Sequence, residues 1–285
     1  AQAASATFVT PPSWSPDGNR VAIIVGSMVE VRDAATHQAL YTLSGHTDFI
    51  STVAWRPDGS MIATASADHT VKVWNAADGT LLYTLTGHDA SVTAAAWSPD
   101  GRRLLSWGFD TRPNLFVWDA ASGALLERRD GGDIADALFS PDGTQLLING
   151  IGRFATLDAR SLELRAASPL FNCCTHQVYA VNWSPDSRII VTGTANGLVT
   201  LWDANTLEML NQFAANSHYA PDAQDITNPA LALVREVAFS PDGSAVSAVS
   251  GDGTVREWDT NTGVLVREMQ LSPLYSAAWS PYRGR

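Results

Sequence analysis

Residues 45–75 read GHTDFISTVAWRPDGSMIATASADHTVKVWN. At the centre lies Trp55-Arg56-Pro57-Asp58-Gly59, a tight-turn signal. Proline presets φ at the second position of a type I turn, and glycine is welcome at its fourth. The apolar, β-branched stretch Ile50 to Trp55 leads into the turn, and Met61 to Ala65 leads out of it. An alternating stretch then ends on Trp74-Asn75, and Leu81 to Leu85 supplies a fourth before Gly87-His88. Four strands of about five residues with turn signals between them make a small antiparallel sheet.

The same signal recurs along the chain. An aromatic followed by Ser-Pro-Asp-Gly or a near variant begins at Trp14, Trp55, Trp97, Phe139, Trp183, Phe239 and Trp279, with spacings of 41, 42, 42, 44, 56 and 40. Arg56 replaces the serine in the second copy, Ser187 the glycine in the fifth, and the seventh degenerates to Pro281-Tyr282-Arg283. Three further repeats close their third strand on Trp118-Asp119, Trp202-Asp203 and Trp258-Asp259. One such sheet cannot bury both faces alone, so neighbouring copies must stack radially.

These marks together resemble the WD40-repeat family: terminal Trp-Asp pairs, Gly45-His46 and Gly87-His88, and a period of 40 to 45 residues. TolB-like and peptidase-associated propellers share the Ser-Pro-Asp-Gly signal but are not expected to carry both pairs. The resemblance implies an all-β propeller of four-stranded antiparallel blades, as one domain over residues 1–285. It also implies a structural hydrogen-bond tetrad in each complete repeat. That tetrad falls on His46, Thr64, Asp68 and Trp74 in the second repeat and on His88, Ser106, Asp110 and Trp118 in the third. In the fifth it falls loosely on His176, Thr192, Asn196 and Trp202. The sixth keeps Asp252 and Trp258 without a histidine; the first and fourth have Arg32 and Leu157 in place of the tryptophan.

Six repeats have material for four strands, and the seventh stops after Trp279. The favoured expectation is a fragment of a longer protein, an incomplete seven-bladed propeller lacking roughly 25–35 residues at the usual period. A closed six-bladed ring is the alternative. Open strand edges at such a gap would invite pairing with another chain.

With 18 basic and 29 acidic residues, a net charge of −11 and Lys72 as the single lysine, the chain lacks the basic stripe of a nucleic-acid binder. No apolar run is long enough for a membrane span. Cys173 and Cys174 are neighbours, too close for an unstrained disulfide, and nothing marks an oxidising compartment, which favours the cytoplasm. Arginine far exceeding lysine, with abundant alanine, points to a GC-rich genome and a bacterial source.

No catalytic, cofactor or metal signature occurs: there is no His-Glu-x-x-His, Walker loop, Gly-x-Ser-x-Gly elbow or zinc spacing. Asp252 resembles a calcium loop only superficially and reads as a tight turn. The His/Asp/Ser sets recur with the period, as scaffold does and a single active site does not. The expected function is therefore non-enzymatic recognition of a protein or peptide. In the family, one rim usually binds partners, and positions six and four residues before each anchor point toward it, as does the residue before the tight-turn acid (Ala67, Phe109, Ala195, Gly251). Phe49, Phe109, Tyr179, Arg235 and Tyr275 are the candidates, since aromatic and arginine side chains dominate binding hot spots. The long spacing of 56 places an insertion, Ala214 to Ala230, on the same rim, as a lid or partner contact. Trp107, where other repeats have small residues, is expected to pack between blades. The alternatives are an accessory propeller gating or supporting a hydrolase or peptidase, and a small-molecule binder using the central channel.

Overall fold

A computed structural model describes residues 12–270 apart from 112, 133, 151, 170–176 and 216–231. Six four-stranded antiparallel sheets follow one another, each made of four consecutive strands in sequence order. They occupy residues 13–44, 50–86, 92–129, 134–167, 178–214 and 234–270 and are numbered here as blades 1 to 6. This is the all-β blade architecture expected from the repeat. The chain divides into two compact units, Ala1–Gly132 with blades 1 to 3 and Asp133–Arg285 with blades 4 to 6.

Blade 2 shows how the sequence builds each sheet. Its strands are Ile50–Trp55, Met61–Ser66, Thr70–Asn75 and Leu81–Thr86. The second is apolar or small throughout and buried almost end to end; the fourth alternates and is largely exposed. Gly59 N–H donates to Arg56 O at 2.8 Å and closes the tight turn, with Gly59 at φ +70°. In blade 5 Ser187 holds that left-handed position at φ +62°. Blade 1 opens on only Ser13–Trp14.

Burial comes from face-to-face stacking of neighbouring blades within each unit. Ala63, Ala65, Val71 and Val73 of blade 2 meet Val92, Trp97, Phe116 and Trp118 of blade 3. Val199, Leu201 and Phe213 of blade 5 meet Val237, Phe239 and Trp258 of blade 6 in the same way. The anchor tryptophans add a polar brace. Each indole N–H reaches the carbonyl just before the preceding blade's anchor: Trp55 to Ser13 at 3.1 Å, Trp97 to Ala54 at 3.0 Å, Trp183 to Leu138 at 3.2 Å. Trp107 is buried, 3% exposed, and its Nε1 has no hydrogen-bond partner, so it is a packing residue rather than a surface one.

The seventh anchor at Trp279, the cysteine pair and all of the insertion beyond Ala215 lie outside the described residues. No helix among the described residues is long and apolar enough to cross a membrane.

Candidate functional site

The recurrent polar sets are buried networks. In blade 2 His46 Nδ1 lies 2.7 Å from Asp68 Oδ2 and Nε2 2.8 Å from Thr64 Oγ1, which also accepts the Trp74 indole N–H at 2.9 Å. In blade 3 His88 bonds Asp110 and, at 2.8 Å, Ser106 Oγ, which accepts from Trp118 at 2.8 Å. Burial holds both imidazoles below the ordinary histidine range, against the pull of their aspartates. Burial pushes the Asp68 carboxyl up, and hydrogen bonds from Thr70, His46 and Thr47 outweigh it, leaving it at about 2. Every hydroxyl and imidazole nitrogen in these sets faces another member of the set, which leaves no nucleophile facing open space.

Blade 5 keeps only half of its set among the described residues. Trp202 donates to Thr192 at 2.9 Å, but Asn196 Oδ1 accepts from Thr194 Oγ1 at 2.6 Å and Asn196 Nδ2 has no partner. His176 lies outside the described residues. In blade 6, where the histidine is missing, Trp258 instead stacks on Phe213 of blade 5 with ring centroids 5.1 Å apart. Among the described residues no group of three or more His, Cys, Asp or Glu is placed to hold a metal.

Two of the rim candidates, Tyr179 and Arg235, occupy a recurring backbone device. In blades 2 to 6 the first strand pairs out of step with the second, leaving one extra residue: Ser51, Thr93, Ala135, Tyr179 and Arg235. A β-bulge of this kind re-aims a side chain away from the sheet. Tyr179 is accordingly 53% exposed, and Arg235 is exposed. Beside the bulges of blades 2, 3, 5 and 6 a backbone bond joins the position six residues before the anchor to the residue before the tight-turn acid. Ala67 N–H donates to Phe49 O at 2.9 Å, Phe109 to Ser91 at 3.1 Å, Ala195 to Gln177 at 3.0 Å and Gly251 to Leu233 at 2.8 Å.

Phe49 and Phe109 therefore sit on one hydrogen-bonded frame in the first unit. Phe49 is tied to Ala67, Ala67 O accepts from Ser91 Oγ at 3.5 Å, and Ser91 O accepts from Phe109. Ser51 Oγ, 2.7 Å from Val92 O and 3.1 Å from Ala65 O, stitches the two blades just beneath. The rings are 72% and 76% exposed, the most exposed large apolar side chains among the described residues. In the second unit Tyr179 and Arg235 hold equivalent bulge positions on neighbouring blades; Tyr275 lies outside the described residues. Neither the bulges nor this frame shows in the sequence as a motif. Their only trace is the constant offset of these positions from each anchor.

A family model described as "WD domain, G-beta repeat" matches residues 37–75, 79–112, 167–203 and 227–259, together half of the chain. Eukaryotic translation initiation factor 3 subunit I of Culex quinquefasciatus is 24% identical over 254 residues, covering 84% of this chain and 73% of that protein. COMPASS component SWD3 of Saccharomyces cerevisiae is 26% identical over 271 residues, covering 91% and 67%. Apoptotic protease-activating factor 1 of Rattus norvegicus is 26% identical over 225 residues, 77% of this chain but 17% of that protein. The first two names are those of a subunit and a component of larger complexes. All three relatives are eukaryotic and give the expected bacterial source no support.

Proposed function

The chain belongs to the WD domain, G-beta repeat family, and from that premise we propose that it is a non-enzymatic recognition module. It binds a protein or peptide at the strand ends of the first unit that carry Phe49 and Phe109; Tyr179 and Arg235 are the candidates of the second unit, taken by itself. One observation carries this reading: two phenylalanines exposed by 72% and 76% are held by backbone hydrogen bonds on adjoining blades of a rigid sheet stack. Exposing two such rings on fixed backbone gives them no role in the core, and preformed aromatic anchors lower the ordering cost of association. The net charge of −11 sets the partner class apart from nucleic acid. Relatives named as a subunit and a component of complexes accord with assembly as the role.

The test is a quantitative pulldown comparing wild type with a Phe49→Ala/Phe109→Ala variant whose melting is unchanged. Partners retained by wild type and lost by the variant support the reading. Identical partner sets and recoveries would remove these residues from the site.

A further inference from the structure

A cleft of about 490 Å³ opens between blades 5 and 6 at the opposite ends of the strands from the rim, among the tight turns. Its walls include Asp186, Ile189, Asp242, Gly243 and Thr260. Its origin lies in what fills the equivalent places in the first unit. Between blades 1 and 2, the Arg20 guanidinium reaches Ala76 O and, at 3.4 Å, Gly59 O, while the Tyr41 hydroxyl also donates to Ala76 O. Between blades 2 and 3, Tyr83 donates to Ala120 O and Arg56 Nε to Gly101 O at 2.8 Å, with Arg56 Nη1 3.1 Å from Asp58 Oδ2. At both junctions a tyrosine hydroxyl and a guanidinium satisfy the same two carbonyls: that of the turn glycine and that of the residue following the third strand.

By position in the turn and strand, Thr260 and Gly243 carry those two carbonyls at the blade 5–6 junction, Ile189 stands where Arg20 does and Ser184 where Arg56 does, and Asn211 pairs with Leu201 as Tyr41 pairs with Val31 and Tyr83 with Val73. Ile189 has no side-chain donor, Ser184 donates its hydroxyl to Asp186 Oδ1 at 2.6 Å, and no side chain among the described residues, that of Asn211 included, donates to Thr260 O or Gly243 O. The lining also carries unmet polarity. Thr260 is 8% exposed and its hydroxyl has no hydrogen-bond partner. Asp186 and Asp242 receive their turn hydrogen bonds on Oδ1 alone. These bonds, led by that from Ser240, hold the Asp242 carboxyl at about 2, so it is charged at neutral pH. Arg188 stands near Asp186 but forms no ion pair with it.

We propose that this cleft is a recognition site for an arginine side chain presented by a partner peptide, which supplies in trans the guanidinium that Arg20 and Arg56 supply within the first unit. The guanidinium is a planar fork of donors, able to span two carbonyls while its charge faces carboxylate oxygens. An ammonium is a compact point charge and matches two separated carbonyls less well. A cleft of this volume lies in the range of small-ligand sites and admits one extended side chain with part of its peptide.

The probe is Nα-acetyl-arginine methylamide, titrated into the intact chain and followed by amide NMR shifts, beside its citrulline and lysine counterparts. Shifts clustered at Ser244, Thr260 and Asn261, with citrulline and lysine each at least tenfold weaker, support the site. An Ile189→Arg/Asn211→Tyr variant, which rebuilds the brace of the first junction, should lose at least tenfold in binding and melt no lower than wild type. Gly263 lies against Asn211 as Gly79 lies against Tyr41, so the larger ring has its counterpart surface. Asp186→Asn, at an exposed turn, gives the same reading without refilling the cleft. No arginine binding, equal binding of citrulline or lysine, or undiminished binding by either folded variant overturns the proposal. Phe49→Ala/Phe109→Ala leaves this titration unchanged, which separates the cleft from the rim.

Discussion

His46 Nδ1 sits 2.7 Å from Asp68 Oδ2 in blade 2, and this contact sets the polarity of everything beyond it. An ionised carboxylate only accepts, so Nδ1 carries the proton and Nε2 is left as an acceptor for the Thr64 hydroxyl 2.8 Å away. Thr64 then turns its lone pairs to the Trp74 indole N–H. The chain of donors runs from indole to hydroxyl, and the imidazole links hydroxyl to carboxylate, with each buried group satisfied. Such a network rigidifies when complete and penalises any single gap.

Removing the middle of that chain strands both ends. His46→Ala or His88→Ala should each lower unfolding free energy by about 1–3 kcal/mol, since a buried hydroxyl and a carboxylate lose partners together. Chemical denaturation of each variant checks this, and a midpoint equal to wild type would show that the set carries no stability.

The same burial makes stability depend on pH in a defined direction. Both imidazoles are held below the ordinary histidine value, so around pH 6.5 the unfolded chain binds more protons than the folded one. Stability is therefore full above that range and falls as pH drops through it. A second loss follows below about pH 4, as the unfolded-state Asp68 protonates while its folded counterpart, at about 2, does not. Melting temperature should decline from pH 7.5 to pH 5.5. The double variant His46→Gln/His88→Gln should show a flatter slope across that window, even though it melts lower throughout.

Ser187 makes a sharper test of backbone against side chain. Its φ of +62° favours glycine, yet its hydroxyl accepts the Asp142 N–H of the preceding blade at 3.1 Å. Ser187→Gly relieves the backbone and loses the bond, two effects of about 1 kcal/mol that oppose one another, so its midpoint should stay near wild type. Ser187→Ala keeps the strained φ and loses the bond, and should cost about 1–2 kcal/mol. Equal midpoints for the two variants would show that the left-handed φ costs nothing, and an alanine variant as stable as wild type would show that the inter-blade bond contributes nothing.

The fold and the complete polar sets were legible because both repeat with the period. The turn at Trp55–Gly59 and the offsets from His46 to Trp74 are local in sequence or fixed by strand length. Blade 5 was less legible, because Asn196 has a competing partner two residues away in Thr194, and no count of spacings shows which bond wins. The bulges at Tyr179 and Arg235 left no residue signature, since any side chain can occupy the extra position. The cleft needed the structure: Asn211 and Ile189 are unremarked in the sequence until Tyr41 and Arg20 are seen reaching across to the next blade.

The rim separates binding from folding. Phe49 and Phe109 expose most of their rings, so truncation removes little buried surface and should change stability by less than about 0.5 kcal/mol. Their backbone groups, which make the frame through Ala67 and Ser91, are untouched by a change to alanine. If these rings are binding anchors, each truncation should weaken partner affinity by about 2 kcal/mol, close to thirtyfold. Ser51→Ala is the companion, because it deletes the hydroxyl bridging Ala65 O and Val92 O while leaving both rings in place. It should lower the melting temperature modestly and weaken binding less than Phe109→Ala. Calorimetry on the three variants with one captured partner distinguishes the cases: affinity loss that tracks melting rather than ring removal would make the phenylalanines bystanders.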